Sequence, residues 1–189
     1  MLDYNRTTAI ILAGGESCRM GYDKGFAKFK GAYFIEHILE ALPELNEVLI
    51  VSNNKSYEQF NLKRVQDLHE NIGPLAGVYA GLYHSTTEYN LILSCDLPFL
   101  KKELIEMLFK EVTDAFDIVQ VAVQNKTNPL LAVYKKKCML SCKKALENGE
   151  RRLCEFVNRQ KTKTIALNYS LANYAKNVNS KADLETKKQ

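Results

Sequence analysis

The sequence predicts an α/β fold, a three-layer sandwich whose central sheet is mainly parallel and carries helices on both faces. Three observations predict it. Short apolar runs alternate with stretches of helical periodicity along most of the chain, the pattern of repeated strand–helix–strand units. The runs are apolar at consecutive positions rather than alternate ones, as in strands covered on both faces. The polar, glycine-bearing segments follow directly on those runs, where the carboxyl ends of parallel strands gather ligands.

In order, residues 8–13 form the first buried strand and residues 33–42 a helix with Phe34, Ile35, Ile38, Leu39 and Leu42 at helical spacing, stopped by Pro43. Residues 48–51 are a second buried strand ending in the turn cluster Ser52-Asn53-Asn54, followed by a short helix over 56–60 and a strand over 63–66. Pro74 suits the first turn of a helix carrying Leu75, Val78, Tyr79 and Leu82. Residues 90–95 are another central strand, closed by Asp96-Leu97-Pro98, and 101–111 a helix. Strands at 117–123 and 130–134 flank a turn read over Asn125 to Pro129; helices at 136–148 and 151–159 and a last strand at 164–167 follow. The Lys-rich tail, 185–189, is expected to be disordered.

At 189 residues, with 46% hydrophobic and 25% charged residues, the chain fits one domain with a sizeable core. The net charge of +4 is modest and gathers in the tail and in Lys135-Lys136-Lys137, a solvated face rather than a basic stripe interleaved with aromatics, so nucleic acid is not an expected partner. The N-terminus is polar and its apolar run too short for a secretory leader, and no window reaches the length of a membrane span. The five scattered cysteines suit reduced thiols in the cytoplasm. Cys138 and Cys142 sit four apart on a helix, but no histidine or second cysteine pair completes a metal site around them. His37, His69 and His84 have no partner pattern that would support a histidine nucleophile.

The loop after the first strand carries the chemistry. Gly14 and Gly15 remove side chains where a backbone must approach phosphate, leaving amide N–H groups to point at it. Arg19 and Lys24 supply cations, one a planar fork and the other a point charge, and Gly21 and Gly25 let the loop turn. No Gly-Lys-Ser/Thr closes a Walker loop, and Gly-x-Gly-x-x-Gly is absent. Asp96 ends a buried strand ahead of a stiffening Pro98, too early to cap the helix near Lys101. Asp67 sits at another strand exit, where an aspartate also serves as a turn former, and Asp23 suits a loop-holding role, accepting backbone N–H bonds.

Leu12-Ala-Gly-Gly-x-x-x-Arg-Met-Gly-x-Asp-Lys-Gly25 resembles the signature of the molybdenum cofactor guanylyltransferases, the MobA family of the nucleotidyltransferase superfamily, which has a Rossmann-like fold. Gly73-Pro74-Leu75-Ala76-Gly77, Cys95-Asp96-Leu97-Pro98, Gly149-Glu150-Arg151-Arg152 and Asn177-Val178-Asn179 resemble that family's later elements, so the likeness spans nearly the whole chain. Position 18, arginine in some members, is Cys18 here.

The resemblance implies a Mg2+-dependent transfer of GMP from GTP to the phosphate of the molybdopterin cofactor, releasing pyrophosphate, with residues 7–100 binding nucleotide and 101–180 the acceptor. It implies nucleotide contacts from Leu12, Ala13, Gly14, Gly15 and Asp67, neutralisation of the phosphates by Lys24, help from Arg19 with the departing pyrophosphate, and Mg2+ on Asp96. The family's asparagine after the second strand matches Ser52 or Asn53. Asn128-Pro129, Arg151, Arg152, Asn177 and Asn179 fall on the side expected for the pterin, and transient contact with other cofactor-biosynthesis proteins or molybdoenzymes is also implied. Sister activities with CTP or with a sugar or polyol phosphate, and a non-catalytic nucleotide-binding adaptor, share the fold; intact Arg19, Lys24 and Asp96 argue against the adaptor.

Overall fold

The structure, a computed structural model, describes residues 2–14, 23–67, 72–180 and 183–184. Seven strands form one mixed sheet: β1 (Thr7–Leu12), β4 (Glu47–Val51), β5 (Lys63–Val65), β6 (Tyr89–Ser94), β7 (Ile118–Val123), β8 (Lys126–Lys135) and β9 (Thr162–Ala166). The short strands β2 (Lys28–Phe29) and β3 (Ala32–Tyr33) pair as a separate hairpin. The order across the large sheet is β5-β4-β1-β6-β8-β7-β9, with β8 antiparallel to both its neighbours and every other pairing parallel.

The consecutive apolar positions have a simple geometric outcome. Successive side chains of a strand face opposite ways, so Ile10 and Leu12 enter one core layer while Ile11 and Ala13 enter the other. Leu49 and Val51 against Ile50, and Ile92 against Leu91 and Leu93, divide in the same manner. The helices complete the layers. Helices α2 (Pro74–His84), α4 (Cys138–Glu147) and α5 (Leu153–Asn158) cover the first face, and α1 (Phe34–Ala41) and α3 (Lys102–Lys110) the second. Because the crossover to β4 runs by one face and that to β6 by the other, the chain switches direction at the carboxyl end of β1, and a crevice opens there.

α2 lies unusually close to the sheet. A Cβ at Gly81 would stand 2.3 Å from Ile10 Cγ2 and 3.3 Å from Val51 Cγ2, both on central strands. Gly81→Ala is therefore expected to lose about 1–3 kcal/mol to overpacking, more than the roughly 1 kcal/mol gained in helix propensity. Denaturant unfolding checks this; a variant as stable as the parent would contradict it.

The elements match the sequence reading with one real correction. The turn read over Asn125 to Pro129 is instead the two-residue loop Gln124–Asn125, with φ of 49° and 65°, the geometry that matches strand twist in tight hairpins. β8 thus starts at Lys126, and Pro129 lies inside it. The pairing with β7 shifts register between Gln120 and Val121, opposite this segment, and an irregularity of that kind tolerates a residue without an N–H. The stretch after Asn54 is a 3-10 helix over Lys55–Phe60, and a one-turn helix, α6 (Tyr169–Ala172), follows β9. The tail at 185–189 lies outside the described residues.

Candidate active site

The crevice holds a cavity of ≈ 520 Å³, of the size that takes a nucleotide-sized ligand. Its floor is the ends of β1 and β6, one wall the segment after β4, and the other the start of α2. Backbone bonds fix these ends together: Ala13 N–H donates to Val51 O at 2.9 Å, and Cys95 N–H to Leu12 O at 3.0 Å. Leu12, Ala13, Gly14, Lys24, Asn53, Asp67 and Asp96, all expected in the site, line this one cavity. Gly15 and Arg19 lie outside the described residues, as does His69.

Gly14 is required neither by packing nor by conformation. A Cβ there would meet nothing within 4 Å, and Gly14 lines the cavity. Gly73 is different: its φ of 97° is a left-handed conformation, and it caps the N-terminus of α2 with Pro74 next in line. The eleven-residue α2 thus opens at the cavity edge, where its N–H groups and dipole favour a negative ligand.

Asp96 is only 8% exposed. Its Oδ1 accepts from the Ser94 hydroxyl and, at 2.8 Å, from Asn177 Nδ2. Its Oδ2 faces Lys24 Nζ at 3.4 Å. Lys24 Nζ also donates to Asn179 Oδ1 at 2.6 Å. Asp96 caps no helix, since α3 begins at Lys102 with Lys101 at its cap. The C-terminal Asn-x-Asn element is held by the residue between its amides: Val178 is fully buried against Ala27, Phe34 and Phe99, and its N–H donates to Asp96 O at 2.9 Å. Expected on the acceptor side, Asn177 and Asn179 therefore meet the nucleotide-side residues Asp96 and Lys24 directly. Asn128 Nδ2 in turn donates to Asn177 Oδ1 at 3.3 Å.

Asp23 has the loop-holding role expected of it. Its Oδ1 accepts from Gly25 N–H at 3.1 Å and from the Tyr57 hydroxyl, its Oδ2 from Asn54 Nδ2 at 3.0 Å. Tyr57 is fully buried, and burial above all pushes its phenol well above the usual range, so it stays a donor. Asn54 falls in the Ser52–Asn54 cluster at a strand end, but Tyr57 was not legible as a site residue; its only signal was that cluster ahead of an apolar pair spaced three apart, Tyr57 and Phe60. Asn53 Oδ1 accepts from Asp67 N–H at 3.1 Å, tying the exits of β4 and β5, whereas Ser52 Oγ accepts from Asn54 N–H within the turn.

Arg151 and Arg152 stand at the start of α5, where Glu150 accepts from both of their N–H groups at 2.9 Å. These bonds, that of Arg152 first, hold the Glu150 carboxyl below its ordinary range. The Arg151 guanidinium donates to Leu146 O at 3.4 Å, and Arg152 is exposed. Cys138 and Cys142 are buried core thiols, and no cluster of metal-binding side chains occurs among the described residues.

A doubly wound sheet with the Ala13–Gly14 backbone, a lysine and a buried carboxylate converging at its switch point, together with the family match that follows, places the protein among the nucleotidyltransferases. The sequence matches the MobA-like NTP transferase domain over residues 9–164, and the protein belongs to that family. It is 35% identical over 178 residues to a probable molybdenum cofactor guanylyltransferase of Flavobacterium johnsoniae, with 94% of each chain covered. A Clostridium perfringens protein of the same name is 38% identical over 150 residues, 78% of this chain and 75% of that one. In fold, it is similar to molybdopterin-guanine dinucleotide biosynthesis protein A of Archaeoglobus fulgidus, with a TM-score of 0.80 over 95% of both chains at 24% identity.

Proposed function

We propose that the protein transfers GMP from GTP to the phosphate of the molybdopterin cofactor, releasing pyrophosphate. The observation that carries the chemistry is the convergence of Lys24 Nζ and Asp96 Oδ2, 3.4 Å apart, on the cavity at the end of β1. The choice of guanine and of acceptor is supported by the relatives, which carry the name guanylyltransferase over most of their length.

In this reaction an oxygen of the acceptor phosphate bonds to the α-phosphorus of GTP, while the bond from that phosphorus to the bridging α–β oxygen breaks and its electrons leave with pyrophosphate. Two anions must be brought together, so catalysis is positioning and charge neutralisation. The backbone at Ala13–Gly14 and the start of α2 offer a close approach for phosphate, and Lys24 a fixed positive charge.

The lining supports a metal requirement. Asp23, Asp67 and Asp96 border the cavity, against a single described lysine, Lys24, a balance that repels a triphosphate unless a cation joins it. Asp23 is saturated by its donors, which leaves Asp67 and Asp96, and of these Asp96, the one at the end of β6 beside Lys24, would hold the ion. Mg2+ suits one or two carboxylates because it keeps waters and takes substrate phosphate oxygens. When bound, it neutralises charge on the reacting phosphates. A cytoplasmic location belongs to the same proposal: Cys95, Cys138 and Cys142 are free thiols, as a reducing compartment keeps them. No helix among the described residues is long and apolar enough to cross a membrane.

Incubation with Mg2+, molybdopterin cofactor and each of the four nucleoside triphosphates tests the proposal through pyrophosphate release. Release with GTP, lost on chelation of the metal, is expected. Release with CTP alone would replace guanylyl by cytidylyl transfer, and tight GTP binding without release would point to an adaptor.

A further inference from the structure

Tyr57 does not border the cavity, yet it reaches the residue beside Lys24. Its ring is fixed by Phe26, 4.6 Å away between centroids, and by Phe60 at 6.2 Å. Its hydroxyl and Gly25 N–H both donate to Asp23 Oδ1, while Asn54 takes Oδ2. Gly25 has no room for a side chain, because a Cβ would stand 2.1 Å from the Tyr57 hydroxyl oxygen. Lys24 meanwhile pairs with Asp96, at the end of β6, and not with its chain neighbour Asp23.

We propose that Tyr57 is a positioning residue for the nucleotidyl transfer: its buried hydroxyl holds the Asp23 carboxylate in the loop, so that the Lys24 ammonium is directed at Asp96 and the substrate phosphates. The proposal rests on the nucleotidyltransferase reading of the same site. With the hydroxyl gone, Oδ1 keeps one donor, Gly25 N–H, and the carboxylate becomes a competing partner for the adjacent ammonium. The ammonium is then drawn back toward Asp23, away from Asp96 and the place of the substrate phosphates. The role differs from packing, because Tyr57→Phe keeps the ring and its contacts with Phe26 and Phe60.

The test is a double-mutant cycle of Tyr57→Phe with Lys24→Ala, read by calorimetric binding of GTP with Mg2+, by steady-state pyrophosphate release and by thermal melting. Tyr57→Phe is expected to weaken GTP binding and lower kcat/KM about tenfold while the melting temperature stays within about 2 °C. In the Lys24→Ala background the same change is expected to do nothing further, since coupled residues fail to add. A Tyr57→Phe protein within twofold of the parent, or losses that multiply with those of Lys24→Ala, would overturn the proposal. The binding cycle needs no acceptor. If the parent binds and turns over only CTP, the guanylyl reading fails while the cycle is run with CTP. If the parent binds no triphosphate, both fail.

Discussion

Asp96→Asn is expected to reduce turnover by about 10³-fold or more, the loss of several kcal/mol of transition-state charge stabilisation, in a protein that remains folded. The separation of the two effects follows from how the carboxylate is held. Oδ1 is structural, accepting from Ser94 and Asn177, and an asparagine oxygen accepts from the same donors. Oδ2 is the functional atom, facing Lys24 at 3.4 Å, on a residue that lines the cavity. In the variant that position carries an NH2 group, which neither ligates a cation nor attracts the lysine. Steady-state pyrophosphate release against a melting curve checks the prediction; parental rates at saturating Mg2+ would remove Asp96 from the metal site.

Lys24→Ala is expected to lower kcat/KM by roughly 10²–10³-fold, the range for deleting one preorganised charge-stabilising donor. The ammonium stands where phosphate charge must be offset, and its loss also leaves three carboxylates lining the cavity without a described lysine. Lys24→Arg is expected to rescue little. A planar fork is wider than a point charge, and Lys24 Nζ is already confined between Asp96 Oδ2 and Asn179 Oδ1. Full activity in the arginine variant would show that charge alone suffices, without the lysine's geometry.

Much of this arrangement was legible in the sequence because the central strands carry runs of consecutive apolar residues. A buried parallel sheet leaves that trace, and ligand residues follow at the strand ends; Gly14, Asn53, Asp67 and Asp96 were found in that way. The trace fails where local chemistry points elsewhere. Asn128-Pro129 looks like a turn, but the reversal is made by Gln124 and Asn125 at positive φ, and Pro129 sits in the strand beside a register shift. The β2–β3 hairpin, two residues a side, is too short for any periodicity to register. Asn177 and Asn179 were placed on the acceptor side by the family resemblance, and their bonds to Asp96 and Lys24 depend on Val178 docking among Ala27, Phe34 and Phe99. Contacts that span so much sequence leave no local pattern. Tyr57 was hidden for a similar reason: a tyrosine in a polar stretch shows its importance only through the distant Asp23.

The central claim is that one cavity, lined by the Lys24–Asp96 pair, holds the triphosphate whose α-phosphorus reacts. A crystal structure with Mg2+ and a GTP analogue whose α–β bridge is a non-cleavable methylene tests it most directly. The account predicts phosphate density against the Ala13–Gly14 backbone and Lys24 Nζ, with the metal on Asp96. Triphosphate bound outside this cavity, or within it with Lys24 and Asp96 both out of contact, would contradict the account.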